Sequence, residues 1–466
     1  MYRVTLKFAI SSHLSNLHNS PHLSKMGDSD DYGIPGLVQW LSSPPAPFSA
    51  APNVTHISSK VNVLSNETSG RGVYATQNVS AKETLVRIPH SFLMNTNTII
   101  KHISRFNGKE SVPDLGYSVS LPSEYTTDQW TELYAKIPIS KWLQLTAFQR
   151  TALYICLEKK RKENSFWCAF ISSLPKLEEL DFAPIVWEVE SELTGSKAAD
   201  FFELLPRSSR NHAKKVSVRF NEDYTAVSEF LTAAKSEPLN KMEFLWAWMC
   251  INSRCLYMSF PSSKAEADNF TLAPYVDFLN HDCDEKCAIK IDSRGFSVIS
   301  CVDHAAGQEL LFSYGPHSNE FLLCEYAFTM ETNKWNNLDV SHHIEGIMND
   351  AQKSFLREQG YYGDYTISET GGISFRTQVA LATIQEREPA QSRRLNSLIQ
   401  GYNDGESYKS VSKSLIRRIL NEVVAECGTM SARLESSKNG RILQIQRLYS
   451  DMEHIATVTL DGLEEW

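Results

Sequence analysis

Four short stretches of this chain place groups capable of chemistry at spacings that invite it. Ser69-Gly70-Arg71-Gly72-Val73-Tyr74-Ala75 matches Gly-x-Gly-x-x-Ala, a pattern that lets backbone come close to a ligand. A dinucleotide fingerprint follows a buried strand and opens a helix. Here a Ser65-Asn-Glu-Thr turn precedes it and a strand-like run from Val73 to Val79 follows. The glycines therefore read as a close approach to a ligand or as a tight hairpin, not as a nicotinamide site. Asn252-Ser253-Arg254 ends a helix bearing Phe244, Trp246 and Trp248; Arg254 can grip a ligand carboxylate with two hydrogen bonds or pair with a buried Asp. Asp277-Phe278-Leu279-Asn280-His281-Asp282 closes an apolar run in polar side chains. Asn280 and His281 can fix a ligand amine or ring nitrogen and Asp277 can orient a neighbour, although a helix-ending Asn-His pair also serves structure alone. Phe312-Ser313-Tyr314-Gly315-Pro316 sets a phenol at the end of an apolar strand, where tyrosines are also common packing residues. The nine cysteines include no Cys-x-x-Cys pair. No metal site is expected, Cys283 and Cys287 being the nearest approach to one.

The elements that must position these groups follow from periodicity. Val61, Val63, Val73, Val79, Leu85, Val86 and Ile88 alternate with polar residues and turn formers, which predicts two or three short strands before Pro89. Residues 97–105 and 127–163 are expected to be helical, and helical patterning continues through 187–235. A second β stretch runs from Ala288 to Tyr314, punctuated by Gly295 and Gly307. From about 340 helix dominates again, most clearly over Ser414 to Glu426. The two β regions must meet to bury their faces, so the helical middle is an insertion into one β-rich domain. The expected divisions are 31–105 and 251–335 for the β-rich domain, 106–250 for the insert, and 340–466 for a helical domain. Residues 42–52 (SSPPAPFSAAP) read as a linker.

Composition narrows the class. The 466 residues carry a formal net charge of −9, which argues against a generic nucleic-acid binder, whose footprint is basic. The longest apolar run, Phe244 to Ile251, has eight residues, against the roughly 20 a membrane span needs. Irregularly spaced cysteines fit reduced intracellular thiols. Residues 1–27 contain no Asp or Glu, as in a mitochondrial leader; the competing reading starts the chain at Met26. Either way residues 1–30 are expected to be disordered.

Together and in this order, the motifs resemble the SET-domain protein methyltransferases, and among them the Rubisco large-subunit methyltransferase-like class. Ser165-Phe166-Trp167 with Leu174-Pro175, Pro274-x-x-Asp277, and the run from Tyr314 to Tyr326-Ala327-Phe328 agree with it. The resemblance covers roughly 35–335; residues 340–466 fit the family's C-terminal substrate-binding domain in character. It implies an α+β fold: a β-rich SET domain of short strands, a long helical insertion and an all-α C-terminal domain. It implies S-adenosylmethionine as cofactor, with Ser69, Gly70 and Arg71 lining its site largely through backbone. Arg254 would contact the methionine moiety, with Asp277 beside it. Asn280 and His281 would grip the cofactor next to a knot-like crossing of the chain, and Phe328 would stack near the adenine. Tyr314 would be the catalytic tyrosine. Ala327 stands where the family usually has Gly, and Asp282 where many members have Ser; neither change removes a ligand group. The implied activity is protein-lysine N-methylation of a non-histone protein, a ribosomal one being a candidate. Histidine methylation and non-catalytic partner binding are the alternatives. A monomer acting on a protein substrate, without direct nucleic-acid or membrane contact, in cytoplasm or nucleus, completes the expectation.

Overall fold

The first hairpin follows directly from alternation. Along Val61–Asn66, Val63 joins Val61 in the core while Asn62 and Ser65 face out, and the strand pairs antiparallel with Gly70–Ala75 in the register Val63↔Val73. A computed structural model of the protein describes residues 33–42, 55–66, 70–108, 112, 115–122, 125–262, 269–464 and 466. The expectations for residues 1–30, for the linker beyond Ser42 and for Ser69 lie outside the described residues. Within them the chain forms two compact units, 1–176 with 220–316, and 177–219 with 317–466. This division runs through the helical insert expected at 106–250.

The first unit is organised by an eight-stranded sheet with the order His56–Ile57, Thr84–Ile88, Gly295–Ser300, Cys287–Asp292, Glu309–Phe312, Gly70–Ala75, Val61–Asn66; Asn280–His281 adds to Glu309–Phe312. The two β regions of the sequence thus meet twice. Gly295–Ser300 pairs antiparallel with Thr84–Ile88, and Glu309–Phe312 pairs antiparallel with Gly70–Ala75. Gly295 is required at the first junction. Its φ is +131°, and a Cβ there would reach 2.8 Å from Pro89 Cα, a place only glycine fills without strain. A second sheet in this unit has the order Met94–Asn95, Phe270–Leu272, Leu256–Tyr257.

Two helices brace the sheets. Ala147–Arg161 starts with a Thr146/Gln149 capping box. Lys241–Arg254 starts at Asn240, whose side chain accepts from the Met242 and Glu243 amides, and every residue from Phe244 to Ile251 is buried. The longest apolar run is therefore a core helix buried all round. The helical stretch expected over 127–163 is three helices, Gln129–Lys136, Ile139–Trp142 and Ala147–Arg161. Pro138 supplies no amide donor, so a new helix begins behind it. Beneath them Glu158, fully buried, accepts from Tyr134 Oη at 2.8 Å and from Arg161 Nη1 at 3.0 Å, and Arg161 Nε donates to Asp128 Oδ2 at 2.9 Å.

The second unit is mainly helical, as expected, and its longest element is Glu406–Leu434. It also holds a small antiparallel sheet, Asn337–Asp339, Thr366–Ser368 and Gly372–Ile373, which sequence periodicity did not reveal because two or three residues are too few to show alternation. Its early segment is tied to its late one: Arg441 Nε donates to Asp181 Oδ2 at 2.9 Å, Arg441 Nη2 to Glu190 Oε2 at 2.7 Å, and Tyr449 Oη to Leu204 O at 3.2 Å.

Removing one partner of a buried ion pair leaves an uncompensated charge. We predict that Glu158→Ala lowers stability by about 3–5 kcal/mol in urea or thermal unfolding. A loss below about 1 kcal/mol, the scale of an exposed pair, would show that Arg161 is satisfied without it.

Candidate active site

Strand pairing brings the sequence motifs together. Glu309–Phe312 takes Gly70–Ala75 on one side through Glu309↔Tyr74 and Leu310↔Val73. On its other side it takes Asn280–His281 in parallel through Leu311↔Asn280 and Phe312↔His281. Tyr314 follows two residues after that strand ends. Three motifs far apart in the chain become neighbours across about three strand widths.

Each side chain is then held by specific partners. The Tyr314 amide donates to His281 Nδ1 at 3.1 Å, and the two rings stack with centroids 5.0 Å apart. With Nδ1 accepting, the neutral His281 ring carries its proton on Nε2. The Tyr314 hydroxyl donates to the Leu279 carbonyl at 2.7 Å, which fixes the phenol in place. Asn280 Nδ2 donates to Arg71 O at 3.1 Å and to Glu309 Oε1 at 2.7 Å. The Arg71 guanidinium donates to Ser173 O at 2.8 Å and lies 5.3 Å from the centre of the Phe278 ring.

Arg254, at the C-terminal end of the core helix, donates from Nη1 to Asp277 O at 2.6 Å and lies 3.4 Å from Asp277 Oδ2. The Asp277 side chain is fully buried. Burial pushes its carboxyl above the ordinary aspartate value, while the nearby Arg254 and Arg71 charges pull it back down. Two buried atoms of this pair, Arg254 Nε and Asp277 Oδ1, have no hydrogen-bond partner among the described residues. Buried polar atoms are normally satisfied, so this pair has one donor and one acceptor that a polar ligand would satisfy.

The structure thus brings together Gly70, Arg71, Arg254, Asp277, Asn280, His281 and Tyr314 within the first unit. Phe328 belongs to the second unit, where its ring sits edge-on to Tyr326 at 6.4 Å. Sequence reasoning passed over Glu309, Tyr74 and Leu279. Glu309 lies in an ordinary-looking strand, and only the register reveals it opposite Tyr74. Leu279 acts through its carbonyl, which no side-chain pattern could reveal. Among the described residues there is no group of His, Cys, Asp and Glu suited to hold a metal ion.

Residues 70–315 match the SET domain family model, and residues 336–462 match the Ribosomal lysine N-methyltransferase 2 C-terminal domain model. The protein named ribosomal lysine N-methyltransferase 2 of Saccharomyces cerevisiae is 30% identical over 487 residues, spanning 92% of this chain and 98% of that one. The chain belongs to the SET-domain lysine methyltransferase family. A second relative, ribosomal lysine N-methyltransferase set11 of Schizosaccharomyces pombe, is 29% identical over 261 residues, 54% of this chain and 66% of that one. The crystal structure of the SET domain of LSMT bound to lysine and AdoHcy shares the fold with a TM-score of 0.56 at 15% identity, over 88% of each chain. This SET-domain methyltransferase uses S-adenosylmethionine as cofactor, and the unpaired Arg254 Nε and Asp277 Oδ1 fit its amino-acid end, which carries both a carboxylate and an ammonium. Among the described residues no helix is long and apolar enough to cross a membrane.

Arg254→Lys keeps the charge near Asp277 but loses the planar fork of donors. We predict that it folds and binds S-adenosylhomocysteine at least ten-fold more weakly by calorimetry, the scale of a lost charge-assisted hydrogen bond. Binding equal to the parent's would remove Arg254 from the site.

Proposed function

We propose that this methyltransferase modifies a lysine side chain of a ribosomal protein, in the cytoplasm or nucleus, working as a monomer without direct nucleic-acid contact. The observation that carries the substrate class is the full-length relationship to a protein named for ribosomal lysine methylation, including a match to that family's C-terminal domain. A surface lysine has a pKa near 10.4, so the enzyme must strip its proton before the amine can attack. Burying the ammonium in a narrow apolar passage favours that loss.

The site residues take these roles in the proposal. Gly70 and Arg71 line the cofactor through backbone groups. Arg254 and Asp277 meet its carboxylate and ammonium, and Asn280 and His281 hold it near the parallel strand pair. S-adenosylmethionine supplies a methyl group on a cationic sulfur, which a neutral amine can take by direct displacement. Tyr314 and the carbonyl that anchors it contribute alignment: a phenol fixed by Leu279 O does not need to be ordered during reaction, and its lone pairs can accept a weakly polarised hydrogen of the methyl or the amine. Such a contact matters more in the transition state than in the ground state. Residues 340–466 would supply the surface that selects the protein substrate.

Incubation with labelled S-adenosylmethionine and ribosomal proteins from methylation-deficient cells should label one protein on lysine; label confined to non-ribosomal proteins, or to histidine, would refute the substrate class. In the same assay Tyr314→Phe should fold normally and lose about one to three orders of magnitude in kcat, with cofactor affinity within a few-fold of the parent's. Turnover within a few-fold of the parent's would reduce Tyr314 to a packing residue.

A further inference from the structure

The carboxamide of Asn280 has one end dictated by its partners. Nδ2 donates to the Arg71 carbonyl at 3.1 Å and to Glu309 Oε1 at 2.7 Å. A backbone carbonyl and a carboxylate only accept, so neither tolerates the amide oxygen in that position. Both hydrogens of the NH2 group are spent, and Oδ1 is the end left to meet a ligand. Glu309 is itself held. Its second oxygen accepts from Tyr74 Oη at 3.1 Å, and that hydroxyl in turn accepts from Asn66 Nδ2 at 2.5 Å. The pairing Glu309↔Tyr74 across adjacent strands fixes this chain of contacts to the sheet. It fits only because residue 72 has no side chain: a Cβ on Gly72 would overlap the Glu309 carboxylate and come within 3.0 Å of Asn280 Nδ2. The second glycine of the Gly-x-Gly motif thus makes room for a carboxylate rather than for a phosphate.

We infer that Glu309 is a positioning residue that locks the Asn280 carboxamide with its oxygen available to the cofactor, so that the site demands a hydrogen-bond donor, an amine or ammonium hydrogen, on S-adenosylmethionine at that point. This rests on the placement of Asn280 at the cofactor proposed above. Glu309 touches neither cofactor nor substrate and acts through Asn280 alone, which gives its loss a distinctive signature. Replacing it matters only while Asn280 is present.

The test is calorimetric binding of S-adenosylhomocysteine to the full-length protein as parent, Asn280→Ala, Glu309→Leu, Glu309→Gln and the double variant Asn280→Ala/Glu309→Leu. Asn280→Ala and Glu309→Leu should each weaken binding about ten-fold, the scale of a hydrogen bond lost with its partner left unpaired. Glu309→Gln can turn its carbonyl to Asn280 and its NH2 to the Tyr74 oxygen, and should stay within about three-fold of the parent. In the Asn280→Ala background Glu309→Leu should cost less than about two-fold. In turnover, Glu309→Leu should raise KM for S-adenosylmethionine while kcat changes little. Should Glu309→Leu not fold, Tyr74→Phe, which frees one oxygen of Glu309, takes its place: weakened binding only when Asn280 is present supports the role, and unchanged or background-independent binding overturns it. Parent-like binding by Asn280→Ala overturns the site assignment itself. Weakened Asn280→Ala beside parent-like Glu309→Leu, or an equal cost of Glu309→Leu in both backgrounds, overturns the role of Glu309 alone.

Discussion

The pairing of Glu309–Phe312 with strands on both of its sides is the constraint from which the site follows. On one side the partner runs antiparallel and presents Gly70 to Ala75; on the other it runs parallel and presents Asn280 and His281. Parallel pairing of so short a strand cannot come from a local turn; it requires the chain to travel away and return. The reward is that residues contributed by three distant segments are fixed by backbone hydrogen bonds, which are far stiffer than side-chain contacts. A slip of one residue in either register would turn Asn280 and Tyr74 to the opposite face, and the hydrogen bonds that converge on Glu309 would be lost together.

Buried charge shows two different uses in the first unit. Around Glu158 every charged atom has hydrogen-bonding company: Tyr134, Arg161 and Asp128 close the network, and the outcome is rigidity beneath the helices. Around Asp277 the network is left incomplete, with one donor and one acceptor unpaired. Leaving buried polar atoms unsatisfied costs stability. The two clusters thus differ in how completely their buried polar atoms are paired.

Much of this was legible in the sequence, for reasons that differ by element. The strands at Val61–Asn66 and Thr84–Ile88 showed themselves through alternation, and the meeting of the two β regions followed from the need to bury their faces. The clustering of Arg254, Asn280, His281 and Tyr314 was inferred from motif order, since each motif alone has a bland explanation. What stayed hidden depended on register or on backbone: Glu309 opposite Tyr74, the Leu279 carbonyl under the Tyr314 hydroxyl, and the association of 177–219 with 317–466 rather than with its sequence neighbours. A helical pattern tells which face is apolar and not what covers it. Ile185, Trp187 and Val189 are buried, and their spacing is silent about which segment of the chain covers them.

That last arrangement bears on how the protein is born. The segment 177–219 leaves the ribosome early, yet its partners Arg441 and Tyr449 are made some 220 residues later. At roughly 5–20 residues per second of synthesis, these hydrogen bonds wait on the order of 10 to 45 s for their second partner. The β-rich unit is complete in sequence by residue 316, but its strand Gly70–Ala75 likewise waits for Glu309–Phe312, made more than 230 residues later. Both units therefore pass through nascent states in which an early segment precedes its late partner, and a chaperone that shields such segments during translation would act on 70–75 as well as on 177–219.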